Sequence, residues 1–525
     1  MASKFSAFLG LIACHVPSRL SSSRYKPPAK SGRSGAPILG ALFLVSMFGE
    51  VFLTGASASD IGCAPASFAW TNIERAVYRD ICTYGDAELS HMIETQNNRN
   101  ISGNALSAML SPNYGATRTR DITIEGANII GPLYVSGISQ RLSLTNDHFS
   151  DVTLADSNPA DVNISNSTLG RFSIYNVNSS AGIHIEDVRG RSLNGSFTTR
   201  GDLTLARSTF DSVSLPESQI GGNLYLLDSS LNSLTMSFSR IGGVSFLSHI
   251  RGQSSFKNNG FTKLFMHKFA GSGDVYVEGG SLDSIDFSGA SIAGKLALRS
   301  SKQVPIIWGP GQRLTLSNAS ISELSDDDQC LPLLADASTT CLDPWPATLQ
   351  LTGFVYQSLD DGLLTRDIAW WRHWLSSNRS ASIQPYDQLA GVLRQAGLTE
   401  QADAIEIAGF DVQRDQAPVL KKLWLVLYDS LSGYGRHSER VLYWTFAFLL
   451  LGVIVLRVSG EGKRLGMPYG VSLSFDRLIP VVSLRKSNDD VELVGWAKYY
   501  FYLHRLLGFV LASLIVAGVA GLEAK

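Results

Sequence analysis

Short apolar-x-apolar triplets recur about every ten residues through the middle of the chain, from Ile122 to Leu316. They are best preserved at Leu203-Thr-Leu205, Val213-Ser-Leu215 and Leu224-Tyr-Leu226. This alternation is the period of a β-strand, in which successive side chains point to opposite faces, and no amphipathic helix produces it. The pattern therefore predicts a succession of short strands that share one interior.

The predicted inward positions also have a five-residue spacing. They fall at Leu205, Phe210, Leu215 and Ile220, and glycines such as Gly222 stand where a corner needs an unusual backbone conformation. Four such faces and a corner make one coil of about 20 residues. The prediction is a β-solenoid.

This stretch resembles the pentapeptide-repeat family, a right-handed quadrilateral β-helix. It keeps the family's spacing of small, polar and leucine positions but has mostly lost the Ala-Asp/Asn-Leu consensus residues. The resemblance implies a mainly β fold, a degenerate pentapeptide-like right-handed β-solenoid of about 9–10 coils over 119–320. Positions 120–313 hold 16 Lys/Arg and 16 Asp/Glu, so the repeat lacks the acidic field of a DNA mimic, and we expect no nucleic-acid partner.

The N-terminus has the features of an export signal. Basic residues precede the apolar run Ile38–Leu53, and Ala56-Ser57-Ala58 gives a small-x-small cleavage pattern. We expect 1–58 to be a secretory signal peptide, with an uncleaved signal anchor as the alternative.

Export also fits the cysteines that remain after the leader. Their even number, local spacing and lack of a CxxC motif are typical of structural disulfides in an oxidising compartment. The expected bonds are Cys63–Cys82 and Cys330–Cys341.

Two flanking segments would contain these bonds. Within the first segment, 59–118, residues 61–97 are similar to a small helical periplasmic module of lysozyme-inhibitor-like proteins, through Cys63-Ala-Pro-Ala, Glu74, Ile81-Cys82 and Glu88-Leu89. We favour a plainer role, a disulfide-stapled helical cap over the first coil, because an open sheet edge needs a cover. Residues 321–357 are predicted to be a C-terminal cap or linker.

Helical spacing replaces the strand period from about Ser358. Residues 358–435 are predicted to form a helical collar that ends in an interfacial amphipathic helix. Residues 436–525 are predicted to form a membrane domain with transmembrane helices at about 441–456 and 506–522. The loop between them is short and basic, which favours a cytoplasmic loop and an external β domain.

This C-terminal region resembles a bacterial family of membrane-associated repeat proteins, over about 170 residues in order. The matching residues are Gly353-Phe-Val-Tyr356, Pro385-Tyr-Asp-Gln-Leu-Ala390, Leu393-Arg394, Gly397, Ala402-Asp-Ala-Ile405, Gly433-Tyr-Gly435, Arg440, Leu473-Ser-Phe-Asp-Arg-Leu-Ile-Pro480 and Leu506 to Gly518. Members sometimes carry the label membrane-associated oxidoreductase. The label assigns no role to any residue of this chain.

Motifs for catalysis are not found in the sequence. It has no GxGxxG, CxxC or GxSxG motif, and its nine histidines lack ligand spacing, so no metal, nicotinamide or flavin cofactor is expected. Single acidic residues are the only candidates for a glycan-active site. They are Asp147, Asp156, Asp161, Glu186, Asp187, Asp283 and Asp286.

The sequence therefore predicts a non-catalytic, exported scaffold or binding protein on the inner membrane of a bacterium, with its β domain in the periplasm. Its expected partners are the lipid bilayer and an envelope protein or glycan, and the oligomeric state is left open. One alternative is an enzyme, either the oxidoreductase of the family label or a glycan-active solenoid. A remote alternative is a channel or transport component, suggested by Gly433-Tyr-Gly435.

Overall fold

The architecture comes from a computed structural model. It describes residues 64–89, 92, 98–114, 121–253, 260–301, 304–326, 343–378, 380, 382–479, 484–485, 488 and 490–519.

The described residues contain 25 strands, which pair into one parallel sheet that we call the β domain. The strands are β1 (Asp86–Glu88), β2 (Asn100–Ser102), β3 (Ile122–Glu125), β4 (Asn128–Ser136), β5 (Leu142–Thr145), β6 (His148–Ser157), β7 (Val162–Ser165), β8 (Thr168–Ser179), β9 (Ile183–Glu186), β10 (Arg189–Thr199), β11 (Leu203–Ala206), β12 (Thr209–Ser214), β13 (Gln219–Ile220), β14 (Leu224–Leu227), β15 (Ser230–Thr235), β16 (Arg240–Ile241), β17 (Ser245–Ile250), β18 (Thr262–Phe265), β19 (Ala270–Gly271), β20 (Val275–Asp286), β21 (Ser291–Arg299), β22 (Ile306–Thr315), β23 (Ser320–Ser325), β24 (Thr348–Gln350) and β25 (Val355–Leu359). The sheet thus extends beyond the predicted limits of 119 and 320 at both ends.

The predicted alternation of core and solvent positions is confirmed along these strands. Leu205, Phe210, Leu215 and Ile220 are buried, as are the first and third residues of nearly every triplet. Parallel partners are one circuit of the chain apart, so Leu193 pairs with Val213 of the next circuit. Identical positions of successive circuits therefore stack, and their apolar side chains form one continuous core.

Nine of the strands close a ring. Pairing runs from β10 through β12, β15 and β18 to β20, and then through β21, β19, β16 and β13 back to β10. The predicted fold class, a degenerate pentapeptide-like right-handed β-solenoid of about 9–10 coils, is therefore wrong. The strands instead form a closed, barrel-like parallel sheet with extra strands.

The physical reason for this correction lies in the corners. The prediction divided each coil into four short faces separated by corners, whereas β10 and β20 are 11 and 12 residues long and keep pairing around a bend. In β10 the bend coincides with a shift of register between Ser196 and Phe197. Such a bulge bends the strand and interrupts its hydrogen-bond ladder only locally, so pairing resumes after the bend and neighbouring faces join.

Two helices cover the first strands. They are α1 (Asn72–Tyr84) and α2 (Gly103–Met109). Thr71 and Glu74 form a capping box at the start of α1, and Glu74 Oε1 also accepts a hydrogen bond of 3.0 Å from the amide of Ser102 in β2. One carboxylate thus orders both the helix and the edge of the sheet.

Five helices follow the last strand. They are α3 (Asp361–Leu364), α4 (Ile368–Ser376), α5 (Gln384–Gln395), α6 (Thr399–Gln416) and α7 (Val419–Ser432). Trp371 and Trp374 of α4 are buried against the end of the β domain, and Leu389, Leu393 and Ile405 join the same core. An exposed apolar face runs along α7.

Side-chain amides from α5 bond the main chain of the last strand and of the two residues before it. Gln384 Nε2 donates to the carbonyl of Phe354 at 2.9 Å, and Gln388 Nε2 donates to the carbonyl of Tyr356 at 2.7 Å. Gln384 Oε1 accepts from the amide of Gly353 at 2.8 Å. These amides take the place of a further strand.

The remaining helices are α8 (Ser438–Val458), α9 (Glu461–Leu465), α10 (Met467–Leu478) and α11 (Trp496–Val519). Within α8 and α11, Glu439–Val458 and Trp496–Val516 are long and apolar enough to cross a membrane, and 22% of each most apolar window is buried. The first contains the predicted span 441–456, and the second begins ten residues before the predicted 506. Gly508 lies so close to the carbonyl of Leu478 that a Cβ there would clash, which brings α11 against α10.

Candidate ligand-binding groove

The circuits of the β domain lengthen in its C-terminal half. Leu205 pairs with Leu226, whereas Leu234 pairs with Leu264 and Ile285 with Leu314, so these later circuits contain many more residues than the earlier one. The additional residues follow β17 and β21, where the regular path would turn. In a stacked fold, insertions that share one side build a wall beside the sheet and are common places for binding.

A column of left-handed residues, here the corner ladder, leads to this wall. Its positions are one circuit apart and have φ between 48° and 76°. The members are Gly126, Asn146, Asn166, Asp187, Arg207, Asp228, His249 and Gly279. Their amides continue the sheet, as when the amide of Arg207 donates to the carbonyl of Leu227 at 2.9 Å.

Polar contacts follow the corner ladder from circuit to circuit. Asn146 Nδ2 donates to Glu125 Oε1 at 2.9 Å, and Arg207 donates to Asp187 and Glu186 at 2.8 Å. The hydrogen bonds from Arg207 lower the pKa of Asp187. These exposed pairs align side chains more than they stabilise the fold.

The groove lies where the corner ladder meets the insertions. Two adjoining cavities of about 560 and 400 Å³ share Asp228, His249 and Arg251. Hydroxyl and amide groups line the first cavity, and Val304, Pro305 and Ile307 add an apolar wall to the second. The hydroxyl and amide residues of the first are Thr209, Ser229, Ser230 and Gln253.

The charged side chains of the groove differ in whether they are paired. His249 Nδ1 lies 2.9 Å from Asp228 Oδ1, so these two side chains hold each other. Arg251 is exposed and forms no ion pair with any described residue. The groove therefore offers one unneutralised guanidinium, an acceptor and the hydroxyls of Thr209 and Ser230 to a polar ligand, whereas the buried Ser229 hydroxyl is bonded to the backbone.

The seven acidic residues suggested by the sequence do not form a cluster of their own. Asp156 accepts from Asn176, Asp161 lies 3.4 Å from Arg141, and Asp283 Oδ1 accepts from the amide of Gly311 at 2.7 Å. Glu186 and Asp187 contact Arg207 in the corner ladder, and Asp286 accepts from the amide of Ser288 at 2.8 Å. These six therefore hold corners and neighbouring circuits in place.

Asp147 is the seventh and is buried inside a corner. Its Oδ1 accepts from the amide of Ala127 at 2.7 Å, and its Oδ2 has no hydrogen-bond partner. Burial raises the pKa of Asp147 to about 8. Serines occupy the equivalent place in other circuits, where Ser167 accepts from the amide of Asp147 and donates to the carbonyl of Ser165. Asp147 thus puts a carboxyl group where the fold uses a hydroxyl.

The predicted disulfides can be followed only in part. Cys82 lies in α1 and is disulfide-bonded. Cys63, Cys330 and Cys341 lie outside the described residues. The pairings Cys63–Cys82 and Cys330–Cys341 stay predictions.

Gly433-Tyr-Gly435, the motif behind the channel alternative, forms a turn between α7 and α8. All three residues have positive φ, and Gly433 ends α7. The Tyr434 ring stacks on Phe410 of α6 with centroids 4.8 Å apart. This contact packs the turn against α6.

The groove could not be predicted from the regular repeats, because it lies at the insertions between them. The sequence signal for it is the stretch after residue 250, where the ten-residue spacing of the triplets is lost because the circuits lengthen. No group of three or more His, Cys, Asp or Glu side chains suited to a metal ion occurs among the described residues.

Comparisons of the chain with protein-family models, with curated proteins and with solved structures found no match in any of the three.

Proposed function

We propose that this chain is a membrane-anchored protein of the bacterial cell envelope whose β domain binds an envelope glycan without catalysing a reaction. The groove around Asp228, His249 and Arg251 is the observation that carries this proposal. Its hydroxyls and amide suit sugar hydroxyls, and Arg251 suits a carboxylate on the polymer. The glycan class that fits best is therefore one that bears carboxylates, as peptidoglycan does.

Binding is proposed over hydrolysis because of the carboxylates. Glycoside hydrolysis ordinarily uses two carboxyl groups about 5–9 Å apart. Asp228 is the single carboxylate among the described residues that line the two cavities, and it is paired with His249.

Membrane anchoring is supported by the two apolar helices and by the charge between them. The segment between Glu439–Val458 and Trp496–Val516 includes Lys463, Arg464, Arg477, Arg485 and Lys486. Such short basic loops stay in the cytoplasm, which would place the β domain in the periplasm and the spans in the inner membrane.

Co-sedimentation with purified peptidoglycan sacculi tests the groove. We expect the detergent-solubilised full chain to bind, and Arg251→Gln and Asp228→Asn to weaken binding at least tenfold. Arg200→Gln is the matched control, because Arg200 is an exposed arginine at a different corner. Arg200→Gln should bind as the parent does, and if Arg251→Gln and Asp228→Asn did so too, the groove would not be the site.

Reporter fusions test the orientation separately. A reporter active only in the periplasm should be active when fused after residue 340 and silent when fused at residue 470. The opposite pattern would place the β domain in the cytoplasm and rule out an envelope glycan.

A further inference from the structure

A second cavity, of about 460 Å³, lies at the start of α11, away from the groove. It is bounded by Arg477 of α10, the segment 490–493, and Lys498 and Arg505 of α11. Three cations and two exposed acidic residues, Asp490 and Glu492, therefore line one cavity, in which positive charge is in excess.

Backbone hydrogen bonds hold Arg477 in position, and the spacing of α11 places the other two cations. Arg477 Nη2 donates to the carbonyls of Val491 at 3.0 Å and Asn488 at 3.3 Å, which fixes its guanidinium at the cavity wall. Lys498 and Arg505 are seven residues apart, which places them on one face of α11 about 10 Å from each other. Neither forms an ion pair with a described carboxylate.

The surroundings of the cavity are those of a membrane interface. The same face of α11 continues from Lys498 through Tyr502 and Arg505 to Phe509, and all four side chains are exposed. An aromatic residue and two basic residues thus precede the apolar part of the helix, which is the order found where a helix enters the headgroup layer. A phospholipid whose phosphate lay in the cavity would have its acyl chains beside Phe509.

We propose that this cavity binds the phosphate of an anionic phospholipid, with Arg477, Lys498 and Arg505 as its ligands. Guanidinium and ammonium groups together match a phosphate that carries a net negative charge. The proposal rests on the membrane anchoring proposed above and is independent of the glycan groove. A soluble phosphate ester shares the headgroup chemistry, so the test separates the two sources.

The test is microscale thermophoresis of the full chain in a neutral maltoside detergent. The probes are dioctanoyl-phosphatidylglycerol, dioctanoyl-phosphatidylcholine and glycerol 3-phosphate. We expect phosphatidylglycerol to bind at least ten times more tightly than either other probe. The double variant Lys498→Gln/Arg505→Gln should lose at least tenfold in affinity for phosphatidylglycerol, and Lys498→Arg should retain the parent's affinity.

The control is Lys421→Gln/Lys422→Gln, which removes two exposed lysines of α7 outside the cavity. Parent-like phosphatidylglycerol binding by the Lys498/Arg505 double variant would overturn the site. Equal binding of phosphatidylglycerol and phosphatidylcholine would overturn charge recognition, and glycerol 3-phosphate binding as tightly as phosphatidylglycerol would overturn the lipid as its source. Alkaline extraction of membranes tests anchoring by itself, so its failure can be told from a failure of the cavity.

Discussion

The β domain and the helical region after it are held together in different ways. Inside the β domain, apolar side chains of successive circuits stack and the backbone supplies the polar bonds, while ion pairs such as Arg207–Asp187 lie outside in water. In the helical region, the buried Glu406 of α6 lies between Arg394 of α5 and Arg436 of the turn before α8. Exclusion of water thus dominates the first region, and partly buried charge joins the elements of the second.

This contrast predicts different sensitivities. Apolar burial changes little with pH or moderate salt, whereas ion pairs depend on both. The β domain should therefore respond to loss of volume, and the joint between α6 and α8 to loss of charge. Asp147 is the place where the contrast is expected to fail, because it puts an ionisable group inside the β domain.

The largest effect is expected from Asp147→Ser. The folded-state pKa of about 8 lies above the ordinary 3.8, so the stability that protonated Asp147 gives is complete below pH 4 and is lost as the pH rises to 8. Serine removes this loss and matches Ser167. We expect a gain of about 4 kcal/mol in the free energy of unfolding at pH 7, which shrinks towards pH 4. Denaturant titrations at several pH values measure it, and an equal gain at every pH would contradict it.

Leu215→Ala should have an effect of similar size in the opposite direction, a loss of about 2–5 kcal/mol from lost burial and the cavity left behind. Its neighbour Ser214 points outward, and Ser214→Ala should cost no more than about 0.5 kcal/mol. Both variants are compared by denaturant titration of the full chain. Equal losses at the two positions would show that the strand does not alternate between core and solvent.

A smaller effect is expected at the charged joint. A double-mutant cycle of Arg436→Gln and Glu406→Gln should give a coupling of about 1–2 kcal/mol that decreases in 1 M NaCl. Arg207→Gln, which breaks exposed pairs in the β domain, serves as the control and should leave the unfolding curve almost unchanged. A coupling that salt does not alter would mean that packing, and not charge, joins α6 to the turn.

The smallest effect concerns the outer face of the β domain. Tyr225 holds the outward position of its triplet, and its ring stacks on Phe246 with centroids 5.7 Å apart, while Phe246 stacks on Tyr276. Because of this stacking we expect Tyr225→Ala to cost about 1 kcal/mol. Thr204→Ala, one circuit earlier in the same column, is the control and should cost less than half as much. Equal losses would leave the stacked rings without a stabilising role.

The alternation of core and solvent positions could be predicted from the sequence, whereas the closure of nine strands into a ring could not. Leu205, Leu215 and Leu226 could be placed inside because side-chain alternation is a local property of each strand. The ring of nine strands depends on whether pairing continues around a bend, as in β10, and that depends on partners a full circuit away. Burial of Asp147 was missed for a similar reason, since an acidic corner residue ordinarily faces water.

The candidate sites were harder to predict than the core. The groove needs Asp228, His249 and Arg251 side by side, and the last two follow the first by about one circuit of the chain. Their proximity follows from the circuit length, but the cavity itself follows from insertions whose course the repeat does not specify. The basic loop before α11 was visible in the sequence, whereas convergence of Arg477 with Lys498 and Arg505 requires the packing of α10 against α11.

The glutamine amides of α5 set a limit on how this chain can be divided. A parallel sheet is a template that accepts another strand wherever main-chain groups are left open, and here Gln388 occupies such a group on β25 and Gln384 occupies those of the two residues before it. A fragment cut at the predicted border near residue 357 would end before both glutamines and within β25 itself. Such a fragment would expose unpaired main-chain groups with which its own copies could pair. By covering these groups, the helices that follow the β domain prevent the chain from assembling end to end into a fibre.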